Sequence, residues 1–114
     1  MVAFPEITSL MHSPDSDERG QAAHLAAMAY LDRGVQPRDQ VALYAILVGF
    51  LDDPSVKVRA ALAYGLLHAE QAPRPIMLAL LRDSAIISHA VVQYSPALID
   101  ADLIGLVGSF DDAM

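Results

Sequence analysis

Residues 51–67, LDDPSVKVRAALAYGLL, constrain the fold more than any other stretch of this chain. Asp53-Pro54 is a helix start. An Asp side chain satisfies free amides at a helix N-terminus, and Pro fits the first turn, where its missing N–H is not needed. Wound at about 100° per residue, the following helix carries two apolar stripes. Val58, Leu62, Gly65 and Ala69 form one, and Val56, Ala60, Ala63 and Leu67 the other. A helix on the outside of a globule needs one such stripe, whereas a helix packed between neighbours needs two. Residues 51–67 therefore read as one unit of a stacked helical array.

Helix punctuation divides the rest of the chain in the same way, into about six or seven short helices. Ser13-Pro14-Asp15 opens a helix that runs to about Arg33 and stops at Gly34, where glycine can take the left-handed conformation without a Cβ penalty. Asp17, Gln21, His24, Met28 and Asp32 share one strip of it, while Ala22, Ala23, Ala26, Ala29 and Tyr30 face away. Pro37 and Asp39 begin a second helix, through Leu51, that is apolar nearly all round and therefore expected to be central. After the Asp53-Pro54 helix, Pro73 and Pro75 break the chain and start a short helix over 76–82. Asp83-Ser84 starts another over 85–94, with Ile86, Ile87, Ala90, Val91 and Tyr94 on one face. Ser95-Pro96 ends it, because the proline ring disfavours helix at the preceding residue. Ile99-Asp100 caps a last helix through Phe110. No stretch of useful length alternates with period two, so strands are not expected. The fold class is all-α: a short helical solenoid in one domain spanning residues 1–114.

The chain also repeats itself. A shift of thirty residues places Asp83 on Asp53, His89 on Arg59, Ala90 on Ala60 and Tyr94 on Tyr64. A shift of forty in the other direction places Ser13-Pro14 on Asp53-Pro54 and Arg19 on Arg59. The shared plan is a capping residue, a basic residue six positions on, then an apolar helix. Periods of about 20–50 residues are the mark of solenoids and related arrays.

Composition bounds what such an array can bind. The formal net charge is −7, with 14 acids against 7 bases, which repels nucleic acid and anionic membrane instead of gathering phosphates. Arg19, Arg33, Arg38, Arg59, Arg74 and Arg82 are interspersed with acids and form no stripe. With no Cys there are no disulfides, thiolate zinc sites or Cys-ligated clusters, which fits a reducing cytoplasm. The N-terminus lacks the basic start and apolar core of a secretory signal. The longest apolar run, Val41 to Leu51, falls well short of the ~20 residues a spanning helix needs. At 54% apolar residues the chain exceeds the ~45–50% of ordinary domains. Either its core is Ala- and Leu-rich helix packing, or a partner covers some apolar surface.

Two segments carry a family resemblance. Residues 53–63, DPSVKVRAALA, look like the second half of a HEAT repeat, whose Asp and Arg help tie successive units together. Val58 to Ala63, Ala72-Pro73-Arg74-Pro75, Leu80 to Asp83 and Ser95 to Ile104 together resemble the bacterial domain-of-unknown-function family DUF2336, itself HEAT-like. The likeness covers roughly residues 19–107. It departs at His89, where the family more often has Ala, and in ending soon after Phe110, so the chain reads as a short member or as the first part of a longer protein. The resemblance implies a regulatory or scaffolding protein and brings no catalytic residues.

The residues themselves agree. Catalysis needs a nucleophile, an acid/base pair or a metal set in a workable constellation. His12, His24, His68 and His89 include no i, i+4 pair and no HExxH; no Ser sits in G-x-S-x-G; and Gly105 to Gly108 lacks the Lys and preceding strand of a phosphate loop. No catalytic, cofactor or metal residues are assigned, and no enzyme is expected. The expected role is a protein–protein interaction or regulatory scaffold module, with an unidentified protein or a second copy of the chain as partner. Its interaction surface is expected at Lys57, Tyr64 and His68, which line one strip between the two apolar stripes, and at Phe110, whose helix has an apolar stripe of Leu103, Leu106 and Val107. The alternative is a His-phosphotransfer or signalling domain, in which Lys57 stabilises phosphate on an exposed His such as His68.

Overall fold

The computed structural model describes residues 4–94 and 96. Six α-helices follow one another: α1 (Phe4–Met11), α2 (Ser16–Leu31), α3 (Pro37–Phe50), α4 (Val56–Leu66), α5 (Arg74–Leu80) and α6 (Ala85–Tyr94). No strand occurs among the described residues, so the chain is all-α, in keeping with a short helical solenoid. The expected helix through Phe110 lies outside the described residues.

The central pair is α2 and α4, which share the most extensive interface, with α1 and α3 packed on α2, and α6 on α4 and α5. Small side chains explain the close approach. Ala22, Ala23, Ala26 and Ala27 are fully buried, as are Val58, Leu62 and Leu66. At Gly65 a methyl group would stand 2.6 Å from the Ala27 Cβ, so hydrogen is the largest side chain that fits there. The core extends into α5 and α6 through Ile76, Met77, Leu80, Ile87 and Val91.

Several boundaries and faces differ from the sequence expectation, each for a local reason. α1 has no counterpart among the helices expected from the punctuation of the sequence, although Ile7, Leu10 and Met11 stand at helical spacing; Ile7 is fully buried against the core. α2 does not stop at a left-handed Gly34, and no described glycine has positive φ. Asp32 ends the helix instead: it turns extended at φ −66°, ψ 125°, and its Oδ1 accepts the Gly34 N–H at 2.8 Å. α4 begins after Ser55, so Asp53 does not cap its amides. Asp53 Oδ1 accepts the Ser55 N–H at 2.9 Å in the turn before the helix.

The two stripes of α4 are unequal. Val58 and Leu62 are buried throughout, whereas the second stripe is covered only from Ala63 onward and Val56 is exposed. On α6 the buried residues are Ile87, Ser88 and Val91, while Ile86 and Tyr94 face outward. The largest correction concerns α3. Its near-continuous apolar sequence suggested a central helix, yet it lies at the periphery, burying only Leu43, Leu47 and Phe50 and exposing Val41, Ala42, Ala45, Val48 and Gly49.

Candidate functional site

Two Arg–Asp brackets run in series along one edge of the helices. Arg19, on α2, donates from Nε to Asp53 Oδ2 at 2.8 Å, from Nη2 to Asp53 Oδ1 at 3.2 Å, and from Nη1 to the Ser13 carbonyl at 2.9 Å. Arg59, on α4, makes the same pattern of bonds. It donates from Nε to Asp83 Oδ2 at 2.9 Å and from Nη1 to the Asp53 carbonyl at 2.6 Å. Each Arg thus binds the carbonyl six residues before it and a carboxylate further along the chain. These are the positions that the thirty- and forty-residue shifts superimpose. The planar guanidinium suits the task because it offers several donors in a fixed fork.

Asp53 is the central rung. The side-chain hydrogen bond from Arg19 holds its carboxyl below the usual range; burial opposes this, and the Ser55 N–H and the charges of Arg19 and Arg59 reinforce it. The same hydrogen bond raises the Arg19 guanidinium. The third basic position in the series is His89, six residues after Asp83, and it is exposed. These brackets are structural: both Arg side chains are spent on tying α2 to the turn before α4 and α4 to the turn before α6.

A groove of about 610 Å³ lies between α2 and α4, with Gly20, Leu25 and Ala61 among its less exposed lining and Asp17, His24, Lys57 and Tyr64 among its exposed polar lining. The forty-residue shift that pairs Arg19 with Arg59 also pairs Asp17 with Lys57 and His24 with Tyr64, so equivalent positions of neighbouring helices lie side by side. Lys57 Nζ is 3.5 Å from Asp17 Oδ1, with both side chains largely exposed. Tyr64 is 58% exposed.

The structure therefore brings together two of the four residues read from the sequence. Lys57 and Tyr64 line the groove. His68 is exposed and does not line it; its ring packs edge-on to Tyr94, 5.6 Å between centroids at 60°. Phe110 lies outside the described residues. Sequence reasoning recognised Asp17, Gln21 and His24 as a polar strip but did not set them opposite Lys57 and Tyr64. The signal was present in the forty-residue shift, applied to the groove positions as well as to the arginines.

Among the described residues no group of three or more His, Asp or Glu is placed to hold a metal ion, and no helix is long and apolar enough to cross a membrane. Comparison with protein-family models, with curated proteins and with solved structures returns no match to this chain. The likeness to HEAT repeats and to DUF2336 accordingly rests on the residues quoted above.

Proposed function

We propose that this chain is a HEAT-like, DUF2336-like repeat module of the bacterial cytoplasm that works by binding another protein and performs no chemistry of its own. The observation that carries the reading is the α2/α4 groove. Its less exposed lining is largely apolar and its exposed lining polar, and an aromatic side chain of the kind enriched at protein interfaces stands exposed at its edge. The occupant that suits it is an amphipathic segment of a partner protein, with an apolar side chain on Leu25 and Ala61 and polar groups toward Asp17 and Lys57. An exposed ion pair such as Lys57–Asp17 contributes little to folding, so both charges can change partners at small cost. Self-association is a further mode of partnership. The phosphotransfer alternative has less support: the Lys57 ammonium faces a carboxylate, which would repel a phosphoryl group, and His68 stands against Tyr94.

A photo-crosslinking amino acid at position 64, introduced in the native host, tests the reading. The expected result is a discrete protein adduct, identified by mass spectrometry and reconstituted with the purified partner. It should be lost when Ala61→Arg fills the groove and be absent with the crosslinker at Gln36. No adduct specific to position 64, or native mass spectra showing a stoichiometric small molecule or metal instead, would overturn it.

A further inference from the structure

The exposed face of α3 is self-complementary, and we propose that it pairs with the same face of a second copy of the chain, antiparallel about a two-fold axis at Ala45. This surface is separate from the α2/α4 groove, so either reading can fail without the other. Arg38, Ala45 and Asp52 are spaced by sevens, with Val41 and Val48 between them, so all five fall on one side of the helix. Asp52 lies in the turn after α3 and is held against the helix end by its N–H, which donates to the Gly49 carbonyl at 3.3 Å. Val41 is 72% exposed and Val48 40% exposed, although both are β-branched hydrophobes in a helix.

An axis at Ala45 brings residue 38 level with 52, 41 with 49 and 42 with 48, and leaves each edge of the strip on its own side. Three features of the face match under that operation. On one edge the exposed Val41 packs against Val48 of the other copy. On the other edge lie only the small Ala42 and Gly49, where an added methyl would find nothing within 4 Å, so the helices can approach closely; beside Gly49 is a hollow of about 300 Å³ lined by Met11, Ala45, Ile46, Gly49, Phe50 and Asp53. Arg38, whose side chain is 91% exposed with Asp39 Oδ1 no nearer than 4.0 Å, meets the exposed Asp52. Asp53 in the hollow is already neutralised by Arg19.

Charge balance favours a second copy over an unrelated partner. The chain as a whole carries −7 and repels itself. Along this strip, however, one base and one acid are placed so that each meets its opposite. An isologous contact repeats every favourable pair twice. One helix pair is a small interface, so the dimer is reversible and depends on concentration.

Sedimentation velocity over about a hundredfold range of concentration reads the equilibrium directly, with circular dichroism confirming that each variant keeps its helix content. Arg38→Asp and Asp52→Arg should each weaken the dimer about tenfold or more, because each sets like charges together at both ends of the contact. The double variant Arg38→Asp/Asp52→Arg should recover most of the loss, since the swapped charges again oppose each other. Val41→Asp should leave a monomer. A wild-type chain that stays monomeric throughout the range overturns the proposal. So does a dimer indifferent to these variants but dissolved by Phe110→Asp, which would place the contact at the other end of the chain.

Discussion

Replacing Gly65 by Ala sets two effects of opposite sign against each other, and the structure says which one wins. In an exposed helix, Gly→Ala is stabilising by roughly 0.5–1 kcal/mol, because Ala loses less backbone freedom on folding. A Cβ at position 65, however, would lie 2.6 Å from the Cβ of Ala27, which is fully buried. Carbon atoms pack at about 3.5–4.0 Å, so α2 and α4 must separate by about 1 Å at the tightest point of their interface. Backbone, not a flexible side chain, has to move. Overpacking of this kind costs typically about 1–3 kcal/mol, which exceeds the propensity gain. The expected net loss is roughly 1–2 kcal/mol, a fall in melting temperature of roughly 5 °C for a chain of this size. Urea and thermal unfolding followed by circular dichroism would read it.

Two other glycines serve as internal controls. At Gly49 the added methyl meets nothing within 4 Å, and at Gly20 the nearest atom is the Ala61 Cβ at an ordinary 3.7 Å. In the monomer, Gly49→Ala and Gly20→Ala are therefore expected to be neutral or stabilising by a few tenths of a kcal/mol up to ~1. Ala27→Gly in the Gly65→Ala background should be far less harmful than in wild type, because it removes the opposing methyl; that coupling isolates the contact. A Gly65→Ala protein more stable than wild type, with no coupling to Ala27→Gly, would refute the close-packed α2/α4 interface.

Two further outcomes follow from the core and the brackets. Leu62→Ala removes a fully buried side chain from the centre of α4 and should cost ~2–5 kcal/mol; a change within ~0.5 kcal/mol in urea unfolding would place Leu62 at the surface. Asp53, its carboxyl held low by Arg19, stabilises the fold above its unfolded pKa of about 4, and this contribution disappears as the pH falls through the lower folded value. Asp53→Asn should therefore be less stable at neutral pH and show a shallower loss of stability on acidification than wild type. Parallel stability curves across that window would mean that the Arg19–Asp53 bracket does not couple to folding.

How much of this was legible without tertiary structure differs from element to element. Local chemistry was enough for the existence and type of α2 to α6, though not of α1. Pro37 at the start of α3, Asp15 before α2 and the Pro73-Arg74-Pro75 break at the start of α5 act through a few neighbouring backbone groups, and sequence carries that information directly. The forty-residue correspondence of Ser13 and Arg19 with Asp53 and Arg59 marked residues that form the brackets, because the same bonding pattern requires the same residue types. Helix ends were less accessible. Whether Asp32 or Gly34 stops α2 is decided by one side-chain hydrogen bond of a kind that either residue's neighbours could supply.

Only the tertiary structure decided which faces are covered. Apolar content identifies surfaces that can be buried, but not whether a neighbour reaches them. α3 is as apolar as a central helix and still lies outside, because α2 and α4 pack on each other through Ala27 and Gly65 and leave α3 one side to cover. The same contact opened the groove that gathers Asp17, His24, Lys57 and Tyr64, four residues whose proximity depends on the register of two helices forty residues apart. Register is set by side-chain fit over the whole interface, and no single stretch of sequence contains it.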